Sequence, residues 1–130
     1  MRLSNHVKRI TVVPRILKDV QNVDTTTEIF GWRATIPVAF APSALQGLAG
    51  GHGEADTVKA AMNLGLNMTL SSQSTVSLED VMATAKMEAR DNVEPKLWFQ
   101  IYLTADWEVN TQLIRRAEGT FWKLCYHAKS

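Results

Sequence analysis

The stretch TIPVAFAPSALQ, residues 35–46, decides how the rest of the chain is interpreted. Its centre, residues 38–41, is a short apolar run between two prolines. Such a run, with no polar residue on either face, is typical of a strand buried on both sides in a parallel sheet. Proline cannot donate to a sheet ladder, so the two prolines confine the strand to the residues between them. Ser43 and Ala44 follow, and side chains this small let a ligand approach the backbone closely.

Further apolar segments follow this strand at regular distances. Strand candidates begin at Val38, Asn67, Leu97 and Phe121, and the first three are separated by about the length of one βαβ unit, roughly 30 residues. Helical patterns lie between them: residues 54–64, a segment that Ser77 opens as a capping box, and a segment that Asp106 caps. Strands that alternate with helices predict a parallel sheet. The sheet is either open and doubly wound or part of a (β/α)₈ barrel.

The number of units bears on this choice. Three complete βα units and a fourth-strand stub are too few to close a barrel, which takes about 250 residues. Before them, residues 1–20 are predicted to form an extended arm, because Pro14 interrupts any single helix there. Residues 22–36 are predicted to form a β-hairpin with Gly31 and Trp32 as its turn. An open sheet of four strands could stand alone, although this arm and hairpin would be unusual additions to it.

Composition and charge exclude several classes of protein. The chain has 130 residues, 45% of them hydrophobic, and a net charge of +1, so it has the length and composition of one small globular domain. This charge gives no reason to expect nucleic acid as a partner. The single cysteine excludes an intrachain disulfide, and no apolar run is long enough to span a membrane. We therefore expect a soluble intracellular protein, with its compartment open.

Polar residues lie where the predicted strands end. Ser43 follows the first strand, Ser71 and Gln73 close the second, and Gln100 and Tyr102 close the third. These hydroxyl, amide and phenol groups suit the binding of a flat polar heterocycle by hydrogen bonds better than acid–base chemistry. No carboxylate pair, metal-ligand cluster or Cys/His pair accompanies them. On the pattern alone, the plainer interpretation is favoured: Ser71 satisfies local backbone groups and Tyr102 is a core residue.

Several motifs, taken in order, favour the functional interpretation of these residues. They are PRILKDV at 14–20, DTTT at 24–27, IPVAFAPSALQ at 36–46, GE at 53–54, TLSS at 69–72, SLED at 77–80, FQIY at 99–102 and RRAE at 115–118. Together they closely resemble the FMN-dependent α-hydroxy acid oxidase and dehydrogenase family, to which glycolate oxidase and flavocytochrome L-lactate dehydrogenase belong. The resemblance covers about residues 5–118. It implies part of a (β/α)₈ TIM barrel that carries FMN at the carboxyl ends of its strands.

The resemblance also implies which residues contact the cofactor. In the family, a Pro-Ser/Thr-Ala backbone lies against the flavin ring, and here it is matched by Pro42, Ser43 and Ala44. Ser71 matches a serine that hydrogen-bonds the ring, and Gln100 matches a glutamine that contacts its pyrimidine edge. The implied cofactor is FMN, and no metal is expected.

The implied reaction is the oxidation of (S)-2-hydroxy acids to 2-oxo acids. Tyr102 matches the tyrosine that hydrogen-bonds the substrate. Gln73 stands where the family often has a bulky group, which leaves the substrate preference open, and Gly50-Gly51 stands where the family commonly has His-Pro. Residues 119–130 diverge from the family, and no residue matches its histidine base or its substrate-binding arginine. We therefore expect residues 1–118 to be the N-terminal portion of the barrel and residues 119–130 to be a tail left by truncation or by a gene-model error. We expect the chain to be inactive by itself; homo-oligomerisation of the complete protein stays open.

Three hypotheses remain. The first is a truncated member of this enzyme family, and the second is a non-enzymatic α/β module that retains half of a flavin site. The third is an unrelated nucleotide-binding domain with an open sheet. Against the third, the chain has neither a Gly-x-Gly-x-x-Gly motif after a strand nor a Walker-type Gly-Lys-Ser/Thr.

Overall fold

The computed structural model describes residues 11, 13–29, 31–89, 95 and 97–120, and the backbone alone of residues 123–127. The first residues of the predicted arm lie outside this part of the chain. Residues 13–23 form no helix or strand, and their large apolar side chains are exposed: Val13, Ile16, Leu17, Val20 and Val23. The arm is thus present as predicted over its described residues, and its apolar side chains pack against no core.

A two-stranded antiparallel hairpin follows the arm. Its strands are β1 (Thr27–Ile29) and β2 (Trp32–Ala34). Ile29 pairs with Trp32, so the turn lies one residue earlier than predicted and Trp32 belongs to the second strand. The physical reason is long-range, because the Trp32 ring stacks on that of Trp98 with 6.4 Å between centroids and 14° between planes.

The main sheet has four parallel strands in sequence order. They are β3 (Ala39–Phe40), β4 (Asn67–Ser71), β5 (Leu97–Tyr102) and β6 (Lys123–His127). The fold is therefore α/β, and its parallel sheet forms part of a barrel. The predicted start of the last strand, residues 121–122, lies outside the described residues.

The first strand of this sheet differs from the prediction. β3 has only two residues, both half-buried, and Val38 before it is 53% exposed. The prediction of a strand buried on both sides is wrong for this chain. Within the described sheet β3 is an edge strand that pairs with β4 alone.

Three helices pack on one face of the sheet: α1 (Glu54–Leu64), α2 (Leu78–Glu88) and α3 (Trp107–Gly119). Both predicted caps are confirmed. Ser77 Oγ accepts from the Asp80 amide at 3.1 Å, and Asp106 Oδ1 accepts from two amides of the first turn of α3. α2 ends at Glu88, and Lys86 lies in its last turn.

The core lies between the helices and the sheet. The buried apolar residues are Val58 and Ala61 of α1; Leu78, Val81, Met82 and Ala85 of α2; Ala117 of α3; Met68 and Leu70 of β4; and Leu97, Phe99 and Ile101 of β5. Successive strand residues point to opposite faces. The alternate positions of β4 and β5, with Ser71 and Gln100 among them, therefore face away from the helices.

Candidate functional site

The loops that follow β3, β4 and β5 are joined to one another at the carboxyl edge of the sheet. The Leu45 amide donates to the Gln73 carbonyl at 3.1 Å, and the Ser72 amide donates to the Gln100 carbonyl at 2.9 Å. The three predicted groups of polar residues therefore lie along the same edge, as the parallel topology requires.

Ser71 and Gln100 form a buried polar pair on neighbouring strands. They are in register across β4 and β5, and they are 3% and 7% exposed. The Ser71 hydroxyl donates to Gln100 Oε1 at 3.4 Å and accepts from the Gln73 amide at 3.1 Å. Gln100 Nε2 is buried and has no acceptor in the described part of the chain. A buried amide donor without an acceptor costs about 1–3 kcal/mol, so the pair presents a donor that suits a polar ligand.

Tyr102 is the last residue of β5 and is 38% exposed. It lies two positions beyond Gln100, so both side chains leave the same face of the strand. The interpretation of Tyr102 as a core residue is therefore wrong, because its side chain reaches the surface at the edge where the polar pair lies.

Residues 42–44 are exposed and follow β3 directly. The Gln46 side chain donates to the Ser43 carbonyl at 3.3 Å. Leu45 has φ 54°, which is uncommon for a residue with a side chain and costs about 1–2 kcal/mol. This loop is therefore held in a defined and strained conformation beside the Ser71–Gln100 pair.

The Ser43 and Ala44 backbone borders an open depression of about 550 Å³. Gln46, Asp56 and Thr57 line its polar side, and Ser71, Gln100 and Tyr102 do not line it. The structure thus joins the predicted residues through backbone hydrogen bonds along one edge of the sheet. It does not gather them into this depression.

Glu54 is a residue whose importance the sequence analysis missed. It is the first residue of α1, and no part of it is exposed. Its Oε1 accepts from the Gln46 and Thr75 amides at 3.1 and 3.0 Å. Its Oε2 accepts from the Thr75 hydroxyl at 2.5 Å and from the Val76 amide at 3.2 Å. A sequence signal did exist, because Glu54 precedes the buried residues Val58 and Ala61 at helical spacing.

The pKa of Glu54 reflects two opposed effects. Burial raises it, whereas hydrogen bonds from the Thr75 hydroxyl and from the Thr75 and Gln46 amides lower it. The net result is a pKa below its usual value. The group is therefore a carboxylate at neutral pH.

Other classes of site find little support in the described residues. No group of three or more His, Cys, Asp or Glu side chains among them could hold a metal ion. None of the helices they form is long and apolar enough to cross a membrane. His52 is exposed, and its Nδ1 lies 3.3 Å from Asp56 Oδ1, so it is a surface residue.

Comparison with known proteins gives one consistent result. The FMN-dependent dehydrogenase family model matches residues 2–124. The chain is 42% identical to spinach glycolate oxidase, with 92% of this chain and 30% of the relative covered. It is 43% identical to 2-hydroxyacid oxidase of Dictyostelium discoideum, with 88% and 28% covered.

The solved structures agree with this result. A mandelate oxidase with (S)-4-hydroxymandelic acid superposes with a TM-score of 0.79 at 34% identity, over 94% of this chain and 32% of that one. A mandelate oxidase variant with a monooxide FMN adduct gives 0.80 at 33% identity, over 94% and 36%. The chain spans about a third of the length of these relatives. The chain belongs to the FMN-dependent dehydrogenase family.

Proposed function

We propose that this chain provides the ring-binding side of an FMN site in an enzyme that oxidises (S)-2-hydroxy acids to 2-oxo acids. The observation that carries the proposal is the buried Nε2 of Gln100, which has no acceptor among the described residues. The pyrimidine edge of a flavin offers carbonyl oxygens that a primary amide can donate to. The residues present therefore fit the group.

Each predicted residue has a role in this proposal. Gln100 donates to the ring edge, Ser71 orients Gln100 and offers its hydroxyl, and the backbone of Pro42, Ser43 and Ala44 packs against the ring. When bound, FMN supplies the two-electron acceptor for the hydride of the substrate, a reaction that protein side chains alone do not provide. The protein positions and desolvates the ring at the carboxyl edge of the sheet.

Tyr102 is proposed to bind the substrate. Its side chain leaves the strand on the same face as Gln100 and is partly exposed, which places it beside a small ligand that lies over the ring. A 2-hydroxy acid carries a hydroxyl and a carboxylate, and a phenol can hydrogen-bond to either. The relatives named for glycolate and 4-hydroxymandelate support this substrate class.

We further propose that residues 1–118 are the N-terminal portion of the barrel and that the chain alone does not oxidise these acids. At the carboxyl ends of the four parallel strands the described residues include one histidine, His127, which ends β6 in register with Tyr102, and no arginine. Without a cation to bind its carboxylate, the substrate charge has no partner there, and His127 matches no base of the family. We expect the chain alone to bind FMN weakly, with a dissociation constant of about 1 mM.

The side-chain amide of Gln100 gives a direct test by NMR. FMN is added to the ¹⁵N-labelled chain, and the Gln100 signals, assigned with Gln100→Leu, should shift in a saturable manner. Gln112 on α3 is exposed, so Gln112→Leu is the matched control and should bind like the wild type. Unmoved Gln100 signals at millimolar FMN would refute the ring-site assignment. Tight, stoichiometric FMN binding by the chain alone would refute the proposal that this chain provides only the ring-binding side of the site.

Activity is tested in a chimera that joins residues 1–118 to the remainder of spinach glycolate oxidase. We expect FMN-dependent oxidation of glycolate or mandelate. A folded chimera that binds FMN but oxidises neither acid would support the alternative, a non-enzymatic module that retains half of a flavin site.

A further inference from the structure

Glu54 joins the loops that follow β3 and β4. One of its partners, Gln46, belongs to the loop after β3, and the other two, Thr75 and Val76, belong to the loop after β4. A buried carboxylate with both oxygens satisfied by hydrogen bonds is a strong and directional link, because charge-assisted hydrogen bonds are about twice as strong as neutral ones.

The link continues from Glu54 towards the proposed flavin site. Gln46, which donates its amide to Glu54, also donates its side chain to the Ser43 carbonyl at 3.3 Å. The Thr57 hydroxyl holds the same side chain through Gln46 Oε1 at 2.5 Å. Glu54 is thus two hydrogen bonds away from the backbone proposed to lie against the ring.

The two loops also approach each other too closely for side chains. A Cβ on Gly47 would lie 2.7 Å from Thr75 Oγ1, and one on Gly53 would lie 3.2 Å from the same oxygen. The Gly47 amide itself donates to Thr75 Oγ1 at 3.0 Å. The glycines make room for a packed junction of the two loops, and the Glu54 carboxylate lies at its centre.

We propose that Glu54 is a positioning residue of the flavin site. It holds the 42–46 loop at a fixed distance from Ser71 and Gln100, so that the two halves of the ring site are in place before the ring binds. The inference rests on the function proposed above. Glu54 touches neither cofactor nor substrate in this account and acts through Gln46 and Thr75.

The test compares Glu54→Gln and Glu54→Ala with Glu79→Gln. Glu79 on α2 is the matched control, because it also accepts two hydrogen bonds, at 2.9 and 2.8 Å, but from Arg116 of α3 and not from either loop. Two quantities are measured on the full chain: hydrogen exchange of the Leu45, Gln46 and Val76 amides, and the saturable FMN shift of the Gln100 signals. An amide oxygen replaces only one carboxylate oxygen, so we expect a graded loss, larger for Glu54→Ala.

We expect faster exchange at the three loop amides and about 10- to 100-fold weaker FMN binding per folded molecule, the range typical of groups that orient metal ligands. At about 1 mM FMN the Gln100 shift should therefore fall from about half of saturation to about a tenth or less. Exchange in β5 and the Glu79→Gln variant should match the wild type. Glu54 variants with wild-type FMN affinity per folded molecule would overturn the inference, even if less stable. If Glu54→Ala does not fold, Glu54→Gln decides in the same way. If FMN does not shift the Gln100 signals of the wild-type chain, the proposed function is refuted. If loop exchange is unchanged in folded Glu54 variants, the positioning role of Glu54 is refuted, whatever the outcome for the proposed function.

Discussion

Replacing Gln100 with leucine should stabilise the chain while it removes FMN binding. The buried Nε2 lacks an acceptor in the described residues, and such a group costs about 1–3 kcal/mol in the folded state. Leucine is of similar length and has no polar atom to satisfy. The substitution therefore removes a cost that the protein bears only when no ligand is bound.

The size of this stabilisation depends on the Gln100 amide and on the Ser71 hydroxyl that bonds to it. Gln100→Leu also removes the bond from the Ser71 hydroxyl to Gln100 Oε1, which at 3.4 Å is long and worth about 0.5–1 kcal/mol. If the oxygen and nitrogen of the Gln100 side-chain amide exchanged places, the oxygen would lack a partner instead of the nitrogen. The expected stabilisation by Gln100→Leu is therefore the same for either orientation of the amide. The net gain in the free energy of unfolding is about 1 kcal/mol.

Urea denaturation followed by circular dichroism measures this gain. With a slope of about 2 kcal/mol/M, the midpoint should rise by about 0.5 M. Gln112→Leu on the exposed face of α3 is the control and should stay within about 0.5 kcal/mol of the wild type. A Gln100→Leu variant destabilised by more than about 0.5 kcal/mol would refute the reasoning, because the amide would then have a stabilising partner.

Three further outcomes are expected. In the chimera, Tyr102→Phe should lower turnover by about tenfold or more with FMN retained, since one substrate hydrogen bond of about 1.5 kcal/mol is lost; loss of FMN with normal turnover would contradict the assignment. The lowered pKa of Glu54 makes its contribution to stability complete above the usual value of 4.5 and lost as pH falls through the lower folded value, so the protection of the loop amides against exchange, relative to an unstructured peptide at the same pH, should fall in acid, and in Glu54→Gln this acid dependence should disappear. Arg116→Ala breaks the half-exposed pair with Glu79 and should reduce the free energy of unfolding by less than about 1 kcal/mol in thermal denaturation; a larger loss would mean a packing role for the arginine.

The sequence predicted those elements whose causes are local. Ser77 and Asp106 begin helices because their side chains accept from amides two or three residues away, and such signals need no knowledge of the fold. The hairpin turn was misplaced by one residue, because Trp32 stacks on Trp98, which is 66 positions further along the chain. β3 was predicted to be buried on both faces, and its exposure depends on how many strands lie beside it.

The residue types of the candidate site could be predicted from the sequence, but the hydrogen bonds that link its loops could not. Parallel topology requires Ser71 and Gln100 to meet at one edge, and they do so in register. The role of Glu54 could not be derived from the sequence, because an acidic residue in the first turn of a helix is usually explained by the helix dipole. Only the structure shows that its carboxylate accepts from the loop after a different strand, 21 positions away.

The buried polar groups of this chain differ in whether protein partners satisfy them, and this difference distinguishes structural residues from the proposed ligand-binding ones. Both oxygens of Glu54 are satisfied by protein donors, so the residue needs no external partner. Asn67 Nδ2 and Gln100 Nε2 are both buried without an acceptor among the described residues, and both lie in the parallel sheet. Asn67, however, begins β4, whereas Gln100 lies near the carboxyl end of β5. Ligands of parallel α/β sheets bind at the carboxyl ends. The proposed flavin site therefore depends on Gln100, because its unpaired donor lies near the carboxyl end of a strand. The unpaired donor of Asn67 does not indicate a ligand site, because it lies at the start of its strand.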